Sequence, residues 1–127
     1  MNWEIVNRAR QGGSKYKPYW NEMKVFIPET KHSKSFLITP AVQEALGNPE
    51  HVLVLTQGDK VALKPCTSEN TDAYAVSGKH ANGGKMMKVG CGTFIKTSVP
   101  QFPYTAKFDA ELNGDMVVFD VSKGQRA

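Results

Sequence analysis

The chain has 127 residues, 40% hydrophobic and 22% charged, with a formal net charge of +4 and a pI of about 9.1. Those proportions belong to a folded globular chain of one domain and exclude a disordered or low-complexity one. No stretch approaches the ~18 consecutive apolar residues of a membrane span, so no membrane partner is expected.

The first residues contain Arg8 and Arg10 but no apolar signal core, which makes the cytoplasm the expected location. Residues 1–22 read as a basic-aromatic arm. Gly12-Gly13-Ser14 and Pro18 interrupt regular structure, and no acid falls between Glu4 and Glu22. Within the arm Arg8, Arg10, Lys15 and Lys17 interleave with Tyr16, Tyr19 and Trp20. Cations suit phosphates and aromatic rings suit stacking on bases or on a protein surface. The alternative use of Tyr19 and Trp20 is to cap the core.

A first β half spans 23–65. Val25-Phe26-Ile27 and Phe36-Leu37-Ile38 are β-branched and aromatic, hence strands. Thr39-Pro40 is a helix start, with threonine as the cap and proline at the first helical position. Val42, Ala45 and Leu46 give that helix one apolar stripe. Gly47 provides the left-handed residue that ends it, and Pro49 prevents its continuation. Residues 51–56 form a strand, Gln57-Gly58-Asp59 a hairpin turn, and 60–64 the return strand, ended by Pro65.

Residues 66–71 are polar and read as a linker into a second β half, 72–121. Strands are expected at 73–76 and 85–89, joined by a turn at 77–84 that holds three glycines. A short helical piece follows between Gly90 and Val99, with Thr93 as its cap and Pro100 as its stop. Strands at 104–108 and 116–121 then form a hairpin across 110–115, marked by Asn113-Gly114. The tail, 122–127, is polar and expected to fray.

The two halves read alike, as strand, turn, strand, short helix, proline and hairpin. Ile38 to Pro49 is eleven residues, and so is Val89 to Pro100. The expected fold is mainly β with one or two short helices, a small β-barrel of two pseudo-repeated halves. A chain of that kind acts as a monomer with internal pseudo-symmetry or as a homodimer. Charge is distributed unevenly along it: residues 1–34 carry a net +4, 35–70 a net −2, 71–98 a net +3 and 99–127 a net −1.

The run Phe36-Leu37-Ile38-Thr39-Pro40-Ala41-Val42-Gln43-Glu44-Ala45-Leu46-Gly47, with Val52 to Leu55 and Gly58 to Pro65 after it, resembles the AbrB/SpoVT and MazE class of swapped-hairpin domains. The resemblance covers residues 24–65. In that class a strand leads into a short helix ending in Leu-Gly, and two chains pair their hairpins into one barrel. The resemblance implies a DNA-binding regulator, here a single-chain version in which 72–121 supplies the partner half. One departure is that the short helix carries Gln43 and Glu44 where the family usually has an arginine.

No enzyme signature is present. Cys91 lies between two glycines but neither it nor His32, His51 or His80 sits in a nucleophile–base context. Cys66 and Cys91 are isolated, so neither a zinc site nor any other metal or cofactor is expected. The segment Gly78 to Lys85 has one residue too many for a phosphate-binding P-loop and lacks its serine or threonine. It reads instead as a basic hairpin turn.

The candidate binding residues are therefore Arg8, Arg10, Lys15, Tyr16, Lys17, Tyr19, Trp20, Lys79, Lys85 and Lys88. The first expectation is a non-enzymatic nucleic-acid-binding regulator. The second is a phage- or mobile-element-type protein that inhibits a host or defence protein through the same residues. The third, weaker one is a nucleotide or small-molecule binder using the basic glycine-rich turn.

Overall fold

A computed structural model describes residue 3 and residues 19–29, 33–77 and 86–127. Eight strands close into an antiparallel barrel. The first half supplies β1 (Lys24–Ile27), β2 (Ser35–Ile38), β3 (His51–Gln57) and β4 (Lys60–Cys66). The second supplies β5 (Tyr74–Ser77), β6 (Met87–Gly90), β7 (Ala106–Asn113) and β8 (Met116–Asp120). The ring runs β1-β2-β6-β5-β3-β4-β8-β7 and returns to β1, so closure leaves few free edges. Two short helices, α1 (Pro40–Ala45) and α2 (Gly92–Ser98), follow β2 and β6. The mainly β barrel expected from the sequence is what the chain forms.

Exchanging the halves maps this ring onto itself. The β1–β2 pairs Val25↔Ile38 and Phe26↔Leu37 recur 51 residues later as Val76↔Val89 and Ser77↔Lys88. The closing pair Gln57↔Lys60 recurs 56 residues later as Asn113↔Met116. The pairs Leu37↔Lys88 and Ala62↔Val118 sit on the pseudo-two-fold axis, since each maps onto itself. Around the ring, hairpins of the two halves alternate, and every hairpin pairs on both sides with hairpins of the other half.

Inward-facing residues of both halves make one core: Val25, Ile27, Phe36, Ile38, Val52, Leu63, Val89, Phe108, Val117 and Phe119, with Val42 and Ile95 from the helices. Aromatic rings chain through it. Phe119 packs 5.3 Å from Phe36 and 5.6 Å from Phe108, the first edge-on.

α1 ends as its sequence requires. Gly47 takes φ +83, its N–H donates to the Glu44 carbonyl at 2.9 Å, and the Asn48 N–H donates to the Gln43 carbonyl at 2.8 Å. These two bonds are a Schellman close. Both hairpin turns place glycine, Gly58 at φ +61 and Gly114 at φ +64, at the first of two central positions.

Five local expectations are corrected. The Thr39 side chain does not cap α1. Its Oγ1 donates to the Glu22 carbonyl at 2.6 Å and accepts from the Lys24 N–H at 3.2 Å, clamping the chain where it enters β1. The residue before α2 is Cys91, not Thr93, which lies inside the helix. Pro65 does not end its strand: β4 continues to Cys66, which takes that residue from the expected linker. Pairing with β8 stops at Leu63, so proline's missing N–H costs nothing on that side.

The last hairpin is also longer than expected, because β7 begins at Ala106 and runs to Asn113, leaving a two-residue turn at Gly114-Asp115. Finally, the tail is tied down. Residues Gln125–Arg126 form β9, which pairs with Lys107 and Ala106. Gly124 lies under two rings, where a Cβ would stand 2.8 Å from Phe108 and 2.9 Å from Phe102.

Candidate nucleic-acid interface

The barrel has two walls, each centred on one end of the pseudo-two-fold axis. The wall β1-β2-β6-β5 presents one outward row of neighbours: Lys107, Phe26, Leu37, Lys88 and Ser77. Phe26 and Leu37 point away from the main core yet are buried. Met86, Tyr19 and Trp20 cover them as a small satellite cluster. The Tyr19 ring stands 5.4 Å from Phe26, and the Lys107 ammonium lies 5.0 Å over the other partner of that contact, Tyr19. The Trp20 carbonyl accepts from the Ala41 N–H at 3.2 Å.

Of the candidate residues, three are therefore described. Tyr19 and Trp20 are half-buried and anchor the end of the arm on this wall, so the capping alternative describes them. Lys88 is exposed on the axis. Arg8, Arg10, Lys15, Tyr16, Lys17, Lys79 and Lys85 lie outside the described residues, as does the glycine-rich segment Gly78 to Lys85.

Three cations on or beside this wall were not singled out from the sequence. Lys34 is exposed, and its carbonyl accepts from the Cys91 N–H at 3.1 Å, which places it against the start of α2. Lys96 is exposed on α2. Lys107 sits over Tyr19. They lie in separate segments of the chain, and strand registry sets Lys107 in the same outward row as Lys88. Trp3, 89% exposed, adds an aromatic residue to the arm.

Lys24 is not available in the same way. Its ammonium pairs with Asp109 across the β1–β7 seam. The hydrogen bond from Lys24 holds the Asp109 carboxyl below its ordinary range, and the same bond raises the lysine.

The opposite wall, β3-β4-β8-β7, differs in sign. The segments that form it, 50–70 and 101–127, hold seven acids against five bases. Segments 1–49 and 71–100, which build the first wall and lead into it, hold eleven bases against five acids. On the acidic side the Asp120 carboxylate accepts from the Ser122 N–H at 2.8 Å and from its hydroxyl at 2.5 Å, which lowers its pKa. Along the sequence, then, the excess of bases falls in the segments that supply the strands of the β1-β2-β6-β5 wall.

Nucleophile chemistry finds little support at Cys91. The side chain is buried, its thiol points to the Val89 carbonyl at 3.5 Å, and burial pushes its pKa up to about 12. Among the described residues no three His, Cys, Asp or Glu side chains are grouped to hold a metal ion. No helix among them is long and apolar enough to cross a membrane.

Comparison of the chain with protein-family models, with curated proteins and with solved structures returned no match in any of the three.

Proposed function

We propose that this chain is a single-chain, AbrB-like swapped-hairpin barrel that binds nucleic acid through the β1-β2-β6-β5 wall. The observation that carries the reading is the segregation of charge. Eleven bases and five acids belong to the segments on and leading into that wall, whereas the opposite wall is net acidic. Lys88 is exposed on the β1-β2-β6-β5 wall, and Lys34, just before β2, and Lys96, on α2, are exposed as well. The arm with Arg8, Arg10, Lys15 and Lys17 joins the barrel on the same wall, rooted by Tyr19 and Trp20, and the segment with Lys79 and Lys85 connects two of its strands. Tyr19 and Trp20 are positioning residues in this reading, and the cations meet phosphates. The exchange symmetry of the ring supports the AbrB-like part, since a barrel of alternating hairpins is what two paired copies of such a half would form.

The test is fluorescence anisotropy of a labelled 20-base-pair duplex titrated with protein between 50 and 200 mM KCl. Affinity is expected to fall with a log–log slope of about −0.9 per phosphate contact. Lys34→Glu with Lys88→Glu should weaken binding and flatten the slope by about 2. Lys60→Glu with Lys123→Glu, on the opposite wall, should leave it nearly unchanged. No binding at low salt, or equal losses from both double variants, rules the reading out.

A further inference from the structure

The pseudo-symmetry fails at the β3–β5 seam, and the failure leaves a strand edge open. At the β1–β7 seam, β1 pairs with Ala106 through Asp109, and the Ala110 N–H donates onward to the Met23 carbonyl at 3.1 Å. At the twin seam β5 pairs with β3 only at His51 and Val52, with one further bond from the Val76 N–H to the Glu50 carbonyl at 2.8 Å. Among the described residues Val54, the residue equivalent to Ala110, has no counterpart of the Met23 bond. The reason lies in the chain before β5. The Asp72 N–H donates to the Asn70 side chain at 2.9 Å and the Ala73 N–H to the Asn70 carbonyl at 3.1 Å, a turn that carries the chain away from β3.

Strand geometry fixes which groups are left. The Val76–Glu50 bond shows that Glu50 faces β5, so Val52, Val54 and Thr56 face that side too, while Leu53, Leu55 and Gln57 turn their backbone to β4. Val54 therefore presents an N–H and a C=O to a groove of about 520 Å³, and Thr56 continues the same edge beyond it. Leu53, Leu55, Tyr74 and Asp72 line it. Leu55 is 39% exposed, and Asp72 is exposed. The groove combines unused backbone partners, an apolar floor and one carboxylate, which is the chemistry of strand addition.

We propose that this edge receives an extended segment of a partner protein, antiparallel to β3. Its backbone pairs with Val54 and Thr56, an apolar side chain packs on Leu53 and Leu55, and a basic side chain meets Asp72. At the twin seam the place equivalent to Val54 is taken by main chain, since Met23, the residue that runs into β1, accepts there from the Ala110 N–H. This surface is separate from the basic wall and does not depend on the nucleic-acid reading.

The probe is a capped heptapeptide alternating valine and threonine with a central arginine, added to the ¹⁵N-labelled full chain. Amide exchange is read by NMR. In the free protein the Val54 and Thr56 amides should exchange rapidly while Ala110 is protected. The peptide should slow Val54 and Thr56 by roughly tenfold or more at saturation and leave Ala110 unchanged. Thr56→Pro removes an N–H that no strand of the barrel uses, and should abolish the protection without unfolding the protein. Leu55→Glu and Asp72→Lys should each weaken the peptide about five- to tenfold.

Three results would overturn the proposal. One is a Val54 amide as protected as Ala110 in the free protein, which would mean residues 1–18 or a second copy already cover the edge. Another is the absence of protection at millimolar peptide. The last is protection that survives all three substitutions.

Discussion

The two halves of the barrel share a backbone and differ in almost every surface role. Phe26 and Leu37 in the first half correspond to Ser77 and Lys88 in the second, Thr39 to Gly90, and Glu44 on α1 to Ile95 on α2. The first half thus spends its outer row on holding Tyr19 and Trp20, while the second leaves the same row polar and open. At the seams the roles reverse: the second half's β7 pairs with β1 over four residues and is joined to it by the Lys24–Asp109 pair, whereas the first half's β3 pairs with β5 over only two. A repeated fold leaves one copy of each position free to hold the structure together, and the other free to meet a partner.

The comparison breaks most sharply in the core. Phe119 and Leu63 are twins, both nearly inaccessible to solvent. Phe119 also joins Phe36 and Phe108 in ring contacts that Leu63 lacks. Phe119→Ala should cost about 3–5 kcal/mol in urea unfolding and Leu63→Ala about 2–5 kcal/mol, with the phenylalanine variant the less stable. Next comes the axis pair. Leu37→Lys would bury a cation beneath Tyr19, Trp20 and Met86, at a cost of about 2–3 kcal/mol. The reciprocal Lys88→Leu, on the open side, should change stability by no more than about 0.5 kcal/mol.

Thr39→Val removes a hydroxyl that serves both the Glu22 carbonyl and the Lys24 N–H. It should cost about 1–2 kcal/mol, while Gly90, its twin, has no such bond to lose. The smallest effect belongs to the seam ion pair, whose carboxylate is largely solvated, and which is worth under about 1 kcal/mol. Asp109 is lowered in the folded state, so its contribution is present above the ordinary carboxylate range and lost as pH falls through the folded pKa. Lys24 is raised, so its contribution holds below the ordinary lysine range and is lost as pH rises through the folded value. Asp109→Asn should therefore separate from the parent protein in melting temperature at neutral pH, converge with it in strong acid, and show a smaller gap in 1 M salt.

Strand positions, α1 with its Gly47 close and the repeat itself were legible because each rests on local chemistry: β-branched runs, a proline at the first helical turn, a glycine at positive φ. What stayed hidden depends on registry between distant segments. Nothing in the string Thr39-Pro40 says that the hydroxyl reaches back to Glu22 instead of capping its own helix. Pro65 looks like a stop until β8 is seen to end at Leu63. Lys107 is unremarkable in sequence and shares an outward row with Lys88 only because β1 lies beside β7 and β2 beside β6. The tail looked free because the cover that Gly124 fits, the rings of Phe102 and Phe108, lies far from it in sequence.

The alternation of hairpins around the ring also sets an order of assembly. While residues 1–66 leave the ribosome, every hairpin they form lacks both of its neighbours, so that half gains little by folding early. β1 finds β7 across some eighty residues of chain, and β7 in turn is held on its other side by β9. Closure must therefore wait until Arg126 has been made. That predicts slow, all-or-none folding dominated by distant pairings, in milliseconds to seconds rather than microseconds. It also means that removing the last few residues would loosen a seam at the far end of the sequence, beside β1.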